Sequence, residues 1–532
     1  YINPLTGEAT KPTTNGNPEK FRYFDAPKWG LGNGEIDNWK TSRRLYYQAQ
    51  VNYNRKFDEH NLGAMAMFSR SQNAYGPGLP INREDWAFRV TYDWRGKYFL
   101  EYNGAYNGSQ KFGSDYRFAF FSSGAIGWLI SGEEFMKNLV EKHIVENLKI
   151  RASVGQIGDD NIPNVDYLYM DLWKLGGNAY MNAADRNQSK YQAYYQSQIG
   201  NPEIHWEKVT KTDVGIDYSF LGGLLAGSFD IFRDRRTDII LKGDQRAIPN
   251  YFGATPATVN LGEVKNKGYE VELRVEKSIL SNKLRLWGNF NMTHNENEVV
   301  FKDDIEGLPS YQKAEGYQIG QTRSHIDAGF LNNYDEVFGS PAHNSNDQFR
   351  MPGDLYIVDF NGDGIVDNED SAPYAHPNVP QNTYNATVGA EYKGFSFFVQ
   401  FYGVTNVSRY IGLTSFNNML DNAYDYATWW SMENPNADLT TPRFASQNAS
   451  DYAGTQYTFD GSYIRLKNIE LAYSWNGGWI KKLGMSYLKV YVNGNNLWLW
   501  TRTPDDREIN DNGQTASYPS VRRFNFGFKL SF

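Results

Sequence analysis

The chain ends on FNFGFKLSF (Phe524–Phe532), in which Phe524, Phe526, Phe528, Leu530 and Phe532 occupy every second position. In an extended chain, alternate side chains point to opposite faces, so this segment reads as a β-strand with one apolar face. The same period recurs upstream. Leu488, Val490 and Val492 alternate with Lys489, Tyr491 and Asn493, and Leu284, Leu286, Phe290 and Met292 alternate with Arg285, Trp287, Asn289 and Asn291. Val271, Leu273 and Val275 alternate with Glu270, Glu272, Arg274 and Glu276. Leu148, Ile150, Ala152 and Val154 alternate with Lys149, Arg151, Ser153 and Gly155.

About fifteen such segments are legible, near 44–57, 61–71, 86–95, 97–108, 116–131, 146–157, 205–220, 223–240, 266–279, 282–296, 383–393, 394–405, 462–475, 486–499 and 520–532. Most run roughly 10–14 residues, whereas strands of soluble domains have a mode of about 5–6. A strand crossing a bilayer at a tilt needs about 9–11 residues. Tight links around Asp58–His60, Gly96, Gly222, Ser281 and Lys393–Gly394 alternate with long excursions at 158–204, 241–265, 297–382, 406–461 and 500–519. The 109–115 link falls on the long side, and 132–145, read as a short helix, on the short side. Short turns at one rim and long loops at the other describe an all-β, transmembrane antiparallel β-barrel. A soluble sandwich fits the alternation equally well, but has no reason to hold its loop lengths in phase. Tyr46, Tyr47, Phe57, Trp86, Trp94, Tyr98, Trp128, Trp498 and Trp500 lie near strand ends, as interfacial girdles require.

Composition narrows the alternatives. The 532 residues include 32 Phe, 38 Tyr, 14 Trp and 49 Gly, yet only 40% are hydrophobic, and mean hydropathy is −0.64. No apolar run approaches the ~18–20 residues of a membrane helix. With no Cys, disulfide scaffolds, thiolate metal sites and Cys nucleophiles are excluded. A net charge of −8 argues against a nucleic-acid partner, which needs a concentrated Lys/Arg footprint. The wealth of aromatics argues against disorder. Residue 1 is Tyr, with no signal peptide before it. An odd strand count would leave unpaired backbone groups in lipid, so the chain is expected to be the C-terminal portion of a longer barrel.

Several stretches, in order along the chain, resemble the C-terminal barrel half of SusC/RagA-type TonB-dependent transporters. They are SVGQIGDDNI (Ser153–Ile162), NPEIHWEKVTKTDVGIDYSF (Asn201–Phe220), NKGYEVEL (Asn266–Leu273), DFNGDGIVDNED (Asp359–Asp370), WWSMENPNADLTTPRF (Trp429–Phe444), SYIRLKNIELAY (Ser462–Tyr473), LKVYVNGNNLW (Leu488–Trp498) and FNFGFKLSF (Phe524–Phe532). The resemblance implies that residues 1–532 are about fifteen strands of a barrel of about 22, as in large outer-membrane transporters. It also implies that the plug, the TonB-contacting segment and about seven strands lie on a part this sequence does not contain. The implied location is the outer membrane of a Gram-negative bacterium. The implied partners are a SusD-like surface lipoprotein, TonB and outer-membrane lipid, and the implied activity is import of oligosaccharides or peptides, without enzymatic chemistry. Two rivals remain open: a passive pore or adhesin barrel, and a soluble calcium-binding, carbohydrate-binding β protein.

The sharpest local motif is DFNGDGIVDNED. Asp359, Asn361, Asp363, Asp367 and Asp370 fall at positions 1, 3, 5, 9 and 12 of the calcium-loop template, with Gly364 at 6 and the Ile365 carbonyl at 7. Position 12 is Asp rather than the usual Glu, and no amphipathic helices flank the loop. The expected role is a structural Ca²⁺, or Mg²⁺, stiffening the 297–382 loop; the bland alternative is a solvated Asp/Gly turn. His60, His143, His205, His294, His325, His343 and His376 form no zinc motif, and neither a Gly-x-Ser-x-Gly nor a Walker loop is present. Glu133–Glu134 and Asp505–Asp506 are acidic pairs of the kind 61 acids supply by chance. Arg233, Asp234, Arg235 and Arg236 read as a neutralised rim patch, with ligand selection in the lumen as the alternative. Ligand contact is expected from loop rings and amides: Trp173, Tyr180, Tyr194 and Tyr195 in 158–204, and Tyr424 and Tyr426 in 406–461. The neighbouring Trp429 and Trp430 are assigned a structural role instead.

Overall fold

The computed structural model describes residues 10–11, 19–20, 41–76, 80–161, 167–180, 190–411, 428, 430–437, 454–503 and 520–532. Fifteen long strands form one sheet, and each lies beside its neighbours in sequence. They are β1 (Ser42–Phe57), β2 (His60–Tyr75), β3 (Ile81–Trp94), β4 (Tyr98–Ser109), β5 (Phe118–Leu129), β6 (Val145–Asp159), β7 (Glu207–Phe220) and β8 (Leu225–Leu241). The series continues with β9 (Val259–Ile279), β10 (Leu284–Phe301), β11 (Asn382–Tyr392), β12 (Phe395–Thr405), β13 (Tyr463–Trp475), β14 (Tyr487–Thr501) and β15 (Arg523–Ser531). All fifteen expected strands are present, as is the short helix expected between β5 and β6, here α1 (Lys137–Glu141).

Contacts cluster into two units, Tyr1–Tyr46 with Ser71–Ile81, and Tyr47–Arg70 with Asn82–Phe532. In the first, Thr10–Lys11 pairs antiparallel with Glu19–Lys20, and the Gly76 N–H donates to the Thr41 carbonyl at 2.8 Å. The second holds β4 to β15 entire.

The tight links are built as their position demands. Left-handed backbone at Arg95 and Gly96 (φ 55° and 62°), Gly222 and Gly223 (71° and 76°), and Lys393 and Gly394 (46° and 93°) gives the primed turns that match the twist of the flanking strands. The long links alternate with them. Two of them, 242–258 and 302–381, are shorter than expected because β9 starts at Val259 and β10 runs to Phe301. The extra length, 259–265 and 297–301, carries the Lys265–Glu298 pair at 2.7 Å and the facing Val264 and Val299, and a register shift between Glu263 and Val264 interrupts the period of two that marks a strand.

The apolar face can be followed from strand to strand. Trp128, Ile150, Ile216, Phe229, Val271 and Met292 stand directly opposite one another in successive ladders of β5 to β10. Phe397, Leu471, Val492 and Phe526 do the same from β12 to β15. These rows are not a core. Ile150, Ile216, Phe229, Phe397, Leu471, Val492 and Phe526 are all exposed, the last at 73%. Among the described residues, the largest fully buried side chains, including Trp206, Phe112, Leu168, Leu331 and Ile357, lie instead in or beside the links. A face this wide left uncovered by protein requires an apolar solvent, since exposed patches on soluble monomers reach only a few hundred Å².

Two rows of rings bound this band on β2 to β5. Trp94 stacks on Tyr98 (5.6 Å between centroids) and Tyr98 on Trp128 (6.5 Å) at the tight-link rim. Phe68 packs on Trp86 (4.5 Å), and Tyr106 on Phe118 (5.1 Å), toward the other. The eight steps from Trp86 to Trp94 span roughly 27 Å of strand. At a tilt of 35–45° this is about 20 Å of depth, comparable to the ~25 Å apolar band of outer-membrane barrels.

The 302–381 link carries its own small fold. Leu355, Ile357 and Val366 form a buried cluster, with Phe330 and Tyr457 packed against it. Tyr457 comes from the following long link, whose strand Thr458–Asp460 pairs with Ser408–Tyr410. The Asp327 carboxylate accepts from Thr455 Oγ1 (2.7 Å) and the Gln456 N–H (3.0 Å), so the two links are fastened to each other.

Candidate functional site

The opposite face of the sheet is polar and cross-linked. Arg151 on β6 reaches three carboxylates: Asp213 (3.1 Å) and Asp217 (3.4 Å) on β7, and Asp230 (2.5 Å) on β8. Gly215 makes the arrangement possible, because a Cβ there would collide with the Asp230 carboxylate and crowd the Arg151 guanidinium. Arg285 forks onto both oxygens of Glu276 (2.8 and 3.0 Å) and reaches Glu391 at 3.2 Å. Lys489 pairs with Glu470 at 2.8 Å, and Arg89 with Glu101 at 2.7 Å.

Between the ion pairs runs a ladder of amides. Gln400 donates to Asn385 (2.9 Å), Asn468 to Gln400 (2.5 Å), Asn495 to Asn468, and Asn525 to both Asn493 (2.7 Å) and Asn495 (3.3 Å). This ladder crosses β11 to β15 without a break. Each amide has spare donor or acceptor capacity beyond these bonds, so the wall suits water and hydroxyl-bearing solutes.

At the tight-link rim, Glu133 accepts from Tyr98 Oη (2.7 Å) and Trp128 Nε1 (3.1 Å). These two donors, with Lys97 behind them, hold its carboxyl below the usual carboxylate range. Glu133 thus anchors the girdle, while Asp505 and Asp506 lie outside the described residues. At the other rim, Arg235 pairs with Glu263 (2.7 Å), and Arg236 with Asp159 (2.7 Å) and Glu207. These are the neutralised contacts expected of the Arg233–Arg236 run.

The expected ligand contacts separate. Trp173, Tyr194 and Tyr195 lie on a hairpin in the 160–206 link, formed by Leu172–Tyr180 and Lys190–Gln198. Trp173 stands opposite Gln196, and Tyr194 opposite Leu175. Trp173 and Tyr194 therefore share one face, both exposed, while Tyr195, opposite Lys174, is on the other. Tyr180 ends the first hairpin strand, opposite Lys190. Tyr424, Tyr426 and Trp429 lie outside the described residues, and Trp430 is buried.

The 359–370 loop is wound tightly on hydrogen bonds from its backbone to its own side chains. Asp359 accepts from the N–H groups of Gly362 (2.7 Å), Asp363 (3.2 Å) and Gly364 (2.7 Å), and Asn361 Oδ1 from Asp363 (2.9 Å). Asp363 accepts from Ile365 (2.9 Å), and Asp367 from Glu369 (2.8 Å). Gly362 and Gly364 supply the left-handed backbone at φ 76° and 93°. Asp370 is fully buried and accepts from Phe360 (2.7 Å), Asn361 (3.1 Å) and Asp367 (2.8 Å). Among the described residues, however, no three acidic or histidine side chains meet at a common point. The donor set has the chemistry of a hard-cation site, but its oxygens are turned onto backbone amides.

A wide antiparallel sheet with one lipid-facing apolar side and one ion-paired, wettable side is the wall of an outer-membrane β-barrel. The chain belongs to the family described as "TonB dependent receptor-like, beta-barrel", whose model matches residues 3–497. It is 24% identical over 562 residues to TonB-dependent receptor P3 of Formosa agariphila, covering 94% of this chain and 54% of that protein. It is 25% identical over 460 residues to TonB-dependent receptor SusC of Bacteroides thetaiotaomicron, covering 84% and 43%. Its fold is similar to that in the structure of the RagAB peptide transporter, with a TM-score of 0.70 at 17% identity, covering 92% of this chain and 55% of that one. The chain thus spans about half the length of the relatives it matches. The family is one of outer-membrane transporters, and the SusC/RagA resemblance is borne out.

Proposed function

We propose that this chain, over residues 1–532, is barrel wall in a TonB-dependent importer of oligosaccharides that works with a SusD-like surface lipoprotein. It performs no enzymatic step. The observation that carries this reading is the two-faced sheet: an uncovered apolar side toward lipid, and an ion-paired, amide-laddered side toward a wet interior. Among the described residues β1 and β15 are the edges of the sheet, and an uncovered edge would leave backbone groups unpaired at several kcal/mol each in lipid. Further strands, on the part of the protein that also carries the plug and the TonB-contacting segment, would cover them. Trp173 and Tyr194, exposed on one hairpin face, suit the flat C–H faces of sugar rings.

Uptake of labelled oligosaccharide and labelled oligopeptide by cells lacking the gene, lacking TonB function, or complemented tests this. Oligosaccharide uptake is expected to disappear in both deficient strains and return on complementation. Uptake that survives loss of TonB would make the barrel a passive pore, and loss of peptide uptake alone would make its cargo peptide.

We also propose that the 359–370 loop takes a structural Ca²⁺, or Mg²⁺, through Asp359, Asn361, Asp363, the Ile365 carbonyl, Asp367 and Asp370. The cation would draw together carboxylates now held by backbone amides. Calcium titration of the purified protein, followed by terbium luminescence competition, is expected to show one site with a dissociation constant of roughly 10⁻⁵–10⁻³ M. Asp363→Asn is expected to weaken it at least tenfold. Silence at millimolar calcium would leave an Asp/Gly turn.

A further inference from the structure

A cavity of about 290 Å³ lies at the long-link ends of β3, β4 and β5, and its walls carry three guanidinium groups, Arg70, Arg83 and Arg117, against one carboxylate, Glu84. Two of the three are engaged. Arg83 pairs with Asp85 (3.1 Å) and Asp160 (2.7 Å) and lies over the Trp206 ring at 5.6 Å. Arg70 reaches Glu84 at 3.8 Å, a long contact, and Glu84 also accepts from Trp86 Nε1 at 3.0 Å.

Arg117 differs. Among the described residues its side chain has no hydrogen bond or ion pair, and its Nε is closed off from solvent. The backbone that carries it is well fixed, since its carbonyl accepts from the Ser109 N–H (3.0 Å) and from Trp206 Nε1 (3.1 Å). The adjoining wall is also braced: Gln110 Oε1 accepts from the Asn82 N–H (3.1 Å), and Gln110 Nε2 donates to Tyr167 Oη (3.0 Å).

Leaving a buried donor unsatisfied is unfavourable, and more so on a charged group. Asp85 and Asp160 answer Arg83, and Glu84 answers Arg70, so the positive charge left over in this cavity is that of Arg117. Guanidinium donors are arranged as a fork that matches planar oxyanions.

We propose that this cavity is a binding site for one oxyanion group, the carboxylate, sulfate or phosphate of a small ligand. Arg117 supplies the unanswered charge, and Arg70, held by Glu84 only at 3.8 Å, further donors. The volume, at the lower end of ligand pockets, admits a single sugar acid or amino-acid-sized group rather than a polymer. The site does not depend on the import reading, because binding is measured on purified protein without transport.

The test is calorimetric titration of the full protein in detergent, at constant ionic strength in chloride, with glucuronate, inorganic sulfate, inorganic phosphate and neutral glucose. Saturable binding of at least one of the three anions is expected, with none for glucose. Arg117→Gln is expected to weaken it at least tenfold while the protein stays heat-modifiable on a gel. Arg117→Lys, which keeps the charge without the fork, is expected to fall between. Binding by none of the three anions, or equal binding by Arg117→Gln and the parent, would overturn the proposal. So would loss that Arg117→Lys matches in full together with loss of heat-modifiability, because the effect would then be on folding.

Discussion

Val388→Arg is expected to destabilise the barrel by about 2–4 kcal/mol, the cost of an arginine at the lipid-facing midplane of an outer-membrane barrel. Val388 lies in the middle of β11, opposite Gly288 and Val399, and is 55% exposed. In water, arginine at so exposed a position would cost little. In lipid, the guanidinium must lose its hydration or drag water and headgroups inward. The neighbouring position provides the control. Thr387 sits on the polar side, opposite Asn289 and Gln400. Thr387→Arg is expected to change stability by less than about 1 kcal/mol, because its charge enters the aqueous side. Urea unfolding of both variants in lipid bilayers, read by heat-modifiable mobility, measures the difference. Equal effects at the two positions would remove the membrane reading of the sheet.

The second large effect is expected at Arg151. Arg151→Gln leaves Asp213, Asp217 and Asp230 facing one another across Gly215 without their shared cation. Removing one partner of a buried ion pair costs about 3–5 kcal/mol. The Arg151 side chain is 36% exposed and that of Asp230 only 11%, so screening by water lowers the expected loss to about 2–3 kcal/mol. Asp230→Asn in the Arg151→Gln background is expected to recover at least half of it, since the most enclosed of the three charges is then gone. A double-mutant cycle on unfolding free energies isolates the coupling. Independent, additive effects would mean that the four groups do not act as one network.

Much of the architecture is legible along the chain. Alternation at Phe524–Phe532, Leu488–Val492 and Val271–Val275 marks strands and their apolar sides, and the phase of short and long links marks the two rims. Strand ends are less legible. β9 and β10 run past their legible ends, because the register shift between Glu263 and Val264 breaks the pattern that defines a strand. The calcium-like spacing at 359–370 is visible in the sequence, but not that Asp370 spends both oxygens on three backbone amides. Nor does spacing tell that Tyr195 turns away from Trp173 and Tyr194, because a one-residue step in a hairpin reverses the face.

Which side of a strand is greasy is a local property, written at every second residue, and the residue order alone settles it. Which polar groups meet is a matter of register between strands far apart in the chain. Gln400 and Asn468 are 68 positions apart, and Arg151 and Asp213 are 62. Each such pair needs the whole ladder between them to be in place before either side chain has a neighbour. The amide ladder, the Arg151 network and the unanswered charge of Arg117 therefore exist only once the sheet is assembled. The period of two, by contrast, survives in the unfolded chain, because it depends on nothing but the order of its residues.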